Sequence, residues 1–449
     1  MSTHLRRSPV DAFPVSIRDL VAYFTSGAKP ANQWKVGAEF EKLALDRKTG
    51  RQIGFDAGIE AVLHRLAARF GWERHDEAGR LTTLTRNGST ISVEPGGQLE
   101  LSTPPAVCIS ELKSALDRHL DELRAVTDQN QIAWIASGVT PYSVVEEIPL
   151  NPRPRHRFMA EYLPTRCRLA PHMMKATAST QVAFDYSDEA DAGRKMAVAL
   201  TMSPIINAAF ANSPYYGGKA TGFASYRAEI WHGMDPDRSG FLVDLLNGEV
   251  GFEQWIDYVL DVPLLFMDID GVLLPPPGIT FRDWLERGLS GRYPTLDDWD
   301  IHLSTVFTEV RLKQYLEIRG ADATPSPLAI SVPAIWKGLL YDRRALAGAA
   351  EMSRALPPQE IRGLFRAIAR NGLRTEYRGR PVWAWCKEAV TIATEGLKRL
   401  AFAGGHEDES GFLDPVREVL ESGRSPGELW PASGSVAEII ARCEYSVSQ

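Results

Sequence analysis

The chain has 449 residues, 44% hydrophobic and 24% charged, proportions of an ordinary globular protein that exclude collagen-like, coiled-coil and disordered architectures. Its 57 acidic and 50 basic residues leave a formal charge of −7 without any long Lys/Arg block, so no nucleic-acid partner is expected. The length allows two or three domains or one large one, at roughly 100–200 residues per domain. The four cysteines, Cys108, Cys167, Cys386 and Cys443, lie far apart without zinc-type or redox spacing, which predicts free thiols in a reducing compartment.

In chain order, the start MSTHLRRSPVDAFPV has two arginines but no apolar run behind them, and a cytoplasmic protein is expected. In residues 36–45, VGAEFEKLAL, Val36, Ala38 and Phe40 alternate with Gly37, Glu39 and Glu41. A strand there sets both glutamates on one face, about 7 Å apart at roughly 3.3 Å per residue. Helical periodicity follows at Ile59, Val62, Leu63 and Leu66, and again at Ile109, Leu112, Leu116, Leu120 and Leu123. Between them, Ser92 and Glu94 face away from Ile91 and Val93, and Gln98, Glu100 and Ser102 face away from Leu99 and Leu101. The Pro95-Gly96-Gly97 break makes the two halves either hairpin partners or one kinked strand.

Further along, PRPR at 152–155 reads as a loop, and STQVAFDY at 179–186 sets Gln181, Ala183 and Asp185 against Thr180, Val182 and Phe184. Met196 to Gly218 carries no charge, but Ser203, Pro204, Asn207, Asn212, Ser213 and Pro214 predict a buried helix and its exit loop, so no membrane association is expected. Arg227 and Trp231 stand at i, i+4 in GFASYRAEIW. The prolines from Pro275 to Pro277 and the stretch from Ala403, AGGHEDESG, read as loops. QYLEIRG sets Glu317 and Arg319 against Leu316 and Ile318, and a final amphipathic helix is predicted through Ala389, Ile392, Ala393, Leu397 and Leu400.

A polar strand face is ordinary on any one antiparallel strand. Here the faces repeatedly carry Glu39, Glu41, Glu94, Glu100 and Glu317, with few lysines to balance them. If they converge, their repulsion needs a counter-ion; hard divalent cations take oxygen ligands, and magnesium is typically shared between a few carboxylates and substrate phosphates. The pattern therefore points to magnesium–ATP chemistry. Arg227 and Arg319 supply groups suited to bidentate recognition of carboxylate or phosphate. A P-loop, a GxGxxG turn, HExxH, GxSxG and CxxC are all absent from the sequence, which removes the common NTPase, dinucleotide, zinc-protease, hydrolase and thioredoxin readings.

Taken together, VGAEFEKLAL, SVEPGGQLELS, PRPRHRFMAEYLP, MMKATASTQVAFDY, AFANSPYYGGKATGFASYRAEIW, WDIHLSTVFTEVRLKQYLEIRGAD and PAIWKGLLYD resemble, in order and across nearly the whole chain, the glutamate–cysteine ligases of plants and many proteobacteria. The resemblance implies an α+β, glutamine-synthetase-like catalytic core, an antiparallel sheet bent into a funnel and covered by helices. It implies one large catalytic unit over 1–449, with the sheet and cleft in 1–330 and a mainly helical region, 331–449, packed on it. The implied reaction is phosphorylation of the glutamate γ-carboxylate by ATP with Mg2+, then attack of the cysteine amine on the acyl phosphate.

On this resemblance Glu39, Glu41, Glu94, Glu100 and Glu317 are magnesium-ligand candidates, and Arg227, Arg319 and Glu317 are catalytic candidates. Arg319 also falls to the nucleotide phosphates, while Gln181, Arg227 and Trp231 are substrate-binding candidates. Glutamate, cysteine and ATP are the expected partners of a monomer or homodimer.

Several positions depart from the family pattern: Ala183 replaces a frequent Asn, Ala160 and Glu161 replace Arg-Asn of plant members, and His172 replaces Asp. They keep two further readings open, a ligase of the same fold acting on another amine and a non-catalytic binding homologue. Lys113 and Pro277 fall where plant members carry regulatory cysteines, so activity insensitive to thiol reductants is expected.

Overall fold

A computed structural model of the protein describes residues 15–128, 131–247, 250–269, 272–275 and 278–445. The first 14 residues, Pro276 and Pro277 lie outside them, and with them the readings made there of the chain start and of a replaced cysteine. Nine strands form one antiparallel sheet: β1 (Val36–Asp46), β2 (Glu73–Glu77), β3 (Arg80–Arg86), β4 (Ser89–Val93), β5 (Leu99–Ser102), β6 (Ile132–Ile135), β7 (Ser179–Phe184), β8 (Val310–Leu312) and β9 (Leu316–Asp322). Their order is β8-β9-β7-β1-β5-β4-β3-β2, and β6 pairs with the far part of β1.

The alternation read in the sequence decides which way this sheet faces. Ala38, Phe40, Val182, Phe184, Leu316 and Ile318 are buried together with apolar residues of the helices Ile109–Val126 and Ser326–Leu340. Burial of such apolar area, at roughly 25 cal/mol per Å2, holds the helical layer to one side and leaves the glutamate face to the other. The register slips between Ile318 and Ala321, a bulge that bends β9 at the rim of the acidic face.

The Pro95-Gly96-Gly97 break is a hairpin turn: β4 pairs with β5, and the Glu94 N–H donates to the Gln98 carbonyl at 2.8 Å. Gly96 is required there, because a Cβ would stand 2.1 Å from the Lys175 carbonyl oxygen. Gln98 fixes the turn from the other side, accepting from the Gly96 N–H at 2.8 Å and donating to the Thr177 carbonyl at 2.9 Å.

The uncharged stretch after Met196 is the second half of a buried helix, Glu189–Ala208, which runs through Pro204. Among the described residues no helix is long and apolar enough to cross a membrane. Beyond β9 the described chain is helical apart from a short hairpin at 376–381, but the 330/331 division falls inside the helix Ser326–Leu340. The last described residues return to the sheet, where the Tyr445 N–H donates to the Trp134 carbonyl at 3.0 Å.

Candidate active site

Strand register assembles the floor of the site in rows. Glu41 on β1 lies opposite Glu100 on β5, which lies opposite Ser92 on β4; Glu39 lies between Gln181 on β7 and Ser102 on β5. A third row runs Arg311 on β8, Glu317 on β9, Ala183 on β7 and Gly37 on β1. Glu94 joins the first group from the start of the hairpin turn, and all five predicted carboxylates line one cleft together with Gln181, Arg319 and Trp231.

The carboxylates divide into two kinds. Glu41 is pushed up to about 7 by burial first and by Glu94 next, against the pull of Arg227 and of its bonds from Ser179. Those bonds are the Ser179 N–H at 2.6 Å and hydroxyl at 3.0 Å on Oε2, with Gln181 Nε2 donating to Oε1 at 3.3 Å. Glu100 is driven well above the usual carboxylate range by burial, then by Glu39, Glu94 and Glu41. Its Oε1 accepts only from the hydroxyls of Ser92 at 3.3 Å and Ser102 at 3.1 Å.

Glu317 goes the other way. Burial works to raise it, but the charges of Arg311, Arg319 and Lys313 outweigh that and hold it well below the usual range. Its Oε2 accepts from Arg311 Nε at 2.7 Å and Arg319 Nη1 at 3.0 Å. Glu317 therefore anchors Arg311 and Arg319 through its Oε2.

The cleft lining has one lysine, in line with the few lysines read from the sequence, and the balancing cations are chiefly arginines. Arg153, Arg155, Arg311, Lys313 and Arg319 line the same cleft. None but Arg319 was singled out from the sequence. Arg153 and Arg155 come from the PRPR segment read only as a loop, where their alternation with proline was the usable signal. Arg153 is itself tied to Glu77, Nη2 to Oε1 at 2.7 Å.

Arg227 is not in the cleft lining. Its Nη1 and Nη2 donate to the carbonyls of Gly320 and Arg319, each at 2.9 Å, so it holds the bulge of β9 from behind. Gly320 is obligatory at that bulge, because a Cβ would stand 1.8 Å from Glu309 Oε1. Asp322, 3.9 Å from Arg227, accepts from Asn212 N–H at 2.8 Å, the Ser213 hydroxyl at 2.7 Å and the Ser225 hydroxyl at 3.0 Å. The FANSP and RGAD segments are thus a buried clasp behind the floor, and the motifs that carry the resemblance best are partly structural. Trp231 does reach the cleft, where its indole N–H is buried without an acceptor among the described residues; the Gln181 Oε1 is likewise without a donor.

Among the departures, Ala183 alone touches the floor. It lines a recess with Gly37, Ser102, Thr103 and Tyr315 that opens on Glu39, Gln181 and Glu317, and the Tyr315 hydroxyl is buried there without a partner. Glu161 is exposed and 3.7 Å from Arg157, and the His172 ring packs on Tyr216 with centroids 5.1 Å apart, both away from the cleft lining. Lys113 pairs with Asp117 on the helix surface at 2.5 Å.

A bent antiparallel sheet with an acidic face and an arginine-lined rim is the architecture of a glutamine-synthetase-like ligase. Two solved structures share the fold. A bifunctional glutathione synthetase from Pasteurella multocida aligns at a TM-score of 0.53 and 13% identity, over 95% of this chain and 53% of that one, so this chain spans about half of its length. The glutamate–cysteine ligase of Francisella tularensis, solved in complex with AMP, aligns at 0.51 and 13% identity over 91% and 92% of the two chains.

The chain belongs to glutamate–cysteine ligase family 2, whose model matches residues 35–437. The chloroplastic glutamate–cysteine ligase of Solanum lycopersicum is 37% identical over 422 residues, 93% of this chain and 80% of the relative; that of Arabidopsis thaliana is 37% identical over 418 residues, 92% and 79%. These relatives overturn the expected cytoplasmic location, since they are named chloroplastic. All four cysteines are free thiols in the structure, as read from their spacing.

Proposed function

We propose that the protein is an ATP- and magnesium-dependent glutamate–cysteine ligase, forming γ-glutamylcysteine through a γ-glutamyl phosphate. The observation that carries the reading is the half-buried set of Glu39, Glu41, Glu94 and Glu100 beside an arginine wall, on the fold and within the family just described.

The residues fit a cation. Glu41 and Glu100 are half-buried and raised by desolvation and by neighbouring carboxylates, a repulsion that Arg227 offsets only in part for Glu41 and that a hard divalent ion relieves. Among the described residues no three acidic, His or Cys side chains close on one point. Magnesium is commonly held by one or two carboxylates and completed by substrate phosphates and water. Glu39, Glu41, Glu94 and Glu100 would hold it, and when bound it neutralises phosphate charge and aligns the transferring group.

The remaining work falls to the chain. A carboxylate acylates amines poorly, and transfer of a phosphoryl group to it supplies a leaving group. Positioning and charge neutralisation dominate such a transfer. Arg319 and Arg311, oriented by Glu317, present a fixed cationic surface to phosphoryl oxygens, and Arg155 adds a buried charge from across the cleft. The Gln181 amide oxygen and the Trp231 indole N–H, unpartnered among the described residues, are available to hydrogen-bond substrate. Arg227 positions Arg319 by gripping its carbonyl. One chain supplies every group named, so the reading holds for a monomer or a homodimer.

Ala183 favours a second reading, a different amine as acceptor, because it places no hydrogen-bonding group beside Glu39 and Gln181 where the family often has Asn. The test is ADP release with glutamate, magnesium–ATP and a panel of amines. Cysteine is expected to stimulate most; stimulation by another amine and none by cysteine would transfer the assignment to the second reading. Glu41→Gln and Glu100→Gln are expected to lower turnover at least about 100-fold, as loss of one charge-stabilising group commonly does. Wild-type turnover in both would remove the carboxylates from the mechanism.

A further inference from the structure

A second cavity lies on the other side of the hairpin strands, between one face of the helix Ile109–Val126 and the turn joining β3 to β4. Ser110, Glu111, Ser114, Ala115, Arg118 and His119 line it from the helix, at the three- and four-residue spacings that share a face. Across from them stand Trp72, Arg86, Asn87 and Ser89. The turn is a stiff wall: Asn87 and Gly88 have φ of 50° and 80°, the pair of left-handed residues of a two-residue hairpin loop.

His119 is the informative residue. It is 2% exposed, yet neither ring nitrogen has a hydrogen-bond partner. Buried polar groups in folded proteins are nearly always satisfied, and an exception calls for a missing partner. The charges that act on the imidazole are cationic, Lys42 first and then Arg86. Arg118, next to it, makes no ion pair among the described residues. Arg86 stands close enough to His119 to act on its charge, and is held by the Phe70 carbonyl at 2.7 Å, the Trp72 ring at 4.3 Å and the Glu122 carboxylate. The one acid in the lining, Glu111, lies two helical turns from Arg118, roughly 10.5 Å along the axis at 1.5 Å per residue. Its carboxylate is also engaged, accepting from the Cys108 N–H at 3.1 Å.

We propose that this cavity binds a small oxyanion, a phosphate or a short carboxylate, on the side chains of His119 and Arg118 and separately from the catalytic cleft. The imidazole N–H and the free guanidinium are the donors, and Leu101, Pro104 and Ala115 give the cavity an apolar wall for a short organic body. None of these residues lines the carboxylate cleft, so the site and the ligase reading stand or fall independently.

Crystals of the full chain soaked in selenate would locate the site by anomalous scattering. A peak within hydrogen-bond distance of a His119 ring nitrogen and Arg118 is expected; peaks confined to the catalytic cleft overturn the proposal. Calorimetric titration with inorganic phosphate and, separately, with acetate tells the two ligand sources apart. In Arg118→Ala, an exposed change that leaves the core alone, the binding component assigned here is expected to weaken at least tenfold, and His119→Phe is expected to abolish it. An Arg118→Ala protein that titrates as wild type with both anions overturns the assignment.

Discussion

Two carboxylates of one sheet face have opposite fates. Glu41 and Glu317 both line the same cleft, but Glu41 has carboxylates for neighbours and is pushed up to about 7, whereas Glu317 has arginines and is held low. Identical chemistry is thus divided by strand neighbourhood: the β1–β5–β4 side carries charge that something else must neutralise, and the β8–β9 side carries its own counter-charges. The first is arranged to receive a cation, the second to hold cations rigid for an anionic substrate.

The largest expected break of this contrast is Glu317→Gln. It strands Arg311 and Arg319 as buried charges without their partner and should destabilise the fold by about 3–5 kcal/mol. Glu100→Gln, which removes a repelled carboxyl, should by contrast raise the stability of the metal-free protein. Urea midpoints measure both; shifts of the same sign would erase the distinction between the two sides.

Acidity gives the next effect. Because Glu41 is raised from 4.5 to about 7, the folded state binds the extra proton between those values. Metal-free stability therefore falls as pH rises from about 4.5 to 7, by about 3 kcal/mol for this group. Magnesium should restore it at pH 8. Glu317 has the reverse sign: its contribution is present above the ordinary carboxylate range and is lost as pH falls below it. Thermal unfolding at pH 5 and pH 8, with and without magnesium, checks this; a metal-free protein more stable at pH 8, with no magnesium response, contradicts it.

A smaller effect is expected at Arg227. Arg227→Lys keeps the charge but loses one of two carbonyl bonds to the bulge, costing about 1–3 kcal/mol. It should lower kcat through Arg319 while Glu41 still titrates. An unchanged kcat would disconnect the bulge from catalysis. The smallest is none at all: with all four thiols free, mild reduction should leave activity unchanged, and a large reversible loss would reveal a disulfide.

The floor of the site was legible because strand alternation has a strict period of two. Counting alone put Glu39 with Glu41, Ser92 with Glu94, Gln98 with Glu100, and Glu317 with Arg319 on the polar side of their strands, and Gln181 likewise, while strand register brought those sides together. What counting could not supply was tertiary. Whether 95–97 was a turn or a kink depended on the Glu94–Gln98 bond, and the cations came from Arg153 and Arg155 at the start of the helix Pro154–Arg166, and from Arg311 and Lys313 in and just beyond a three-residue strand too short to show a period. The place of Arg227 was not legible for a related reason: i, i+4 spacing with Trp231 says which residues share a helix face, and nothing of what that face meets.

The most direct test of the central contrast counts protons. Magnesium titrated calorimetrically into the protein at pH 6, in two buffers of different ionisation enthalpy, gives the number released on binding. A site built on Glu41 and Glu100 must release at least about one proton per ion at pH 6, less toward pH 8.5, and about one fewer at pH 6 in Glu41→Gln. Magnesium binding without proton release at pH 6, or the same release in Glu41→Gln, would contradict the account.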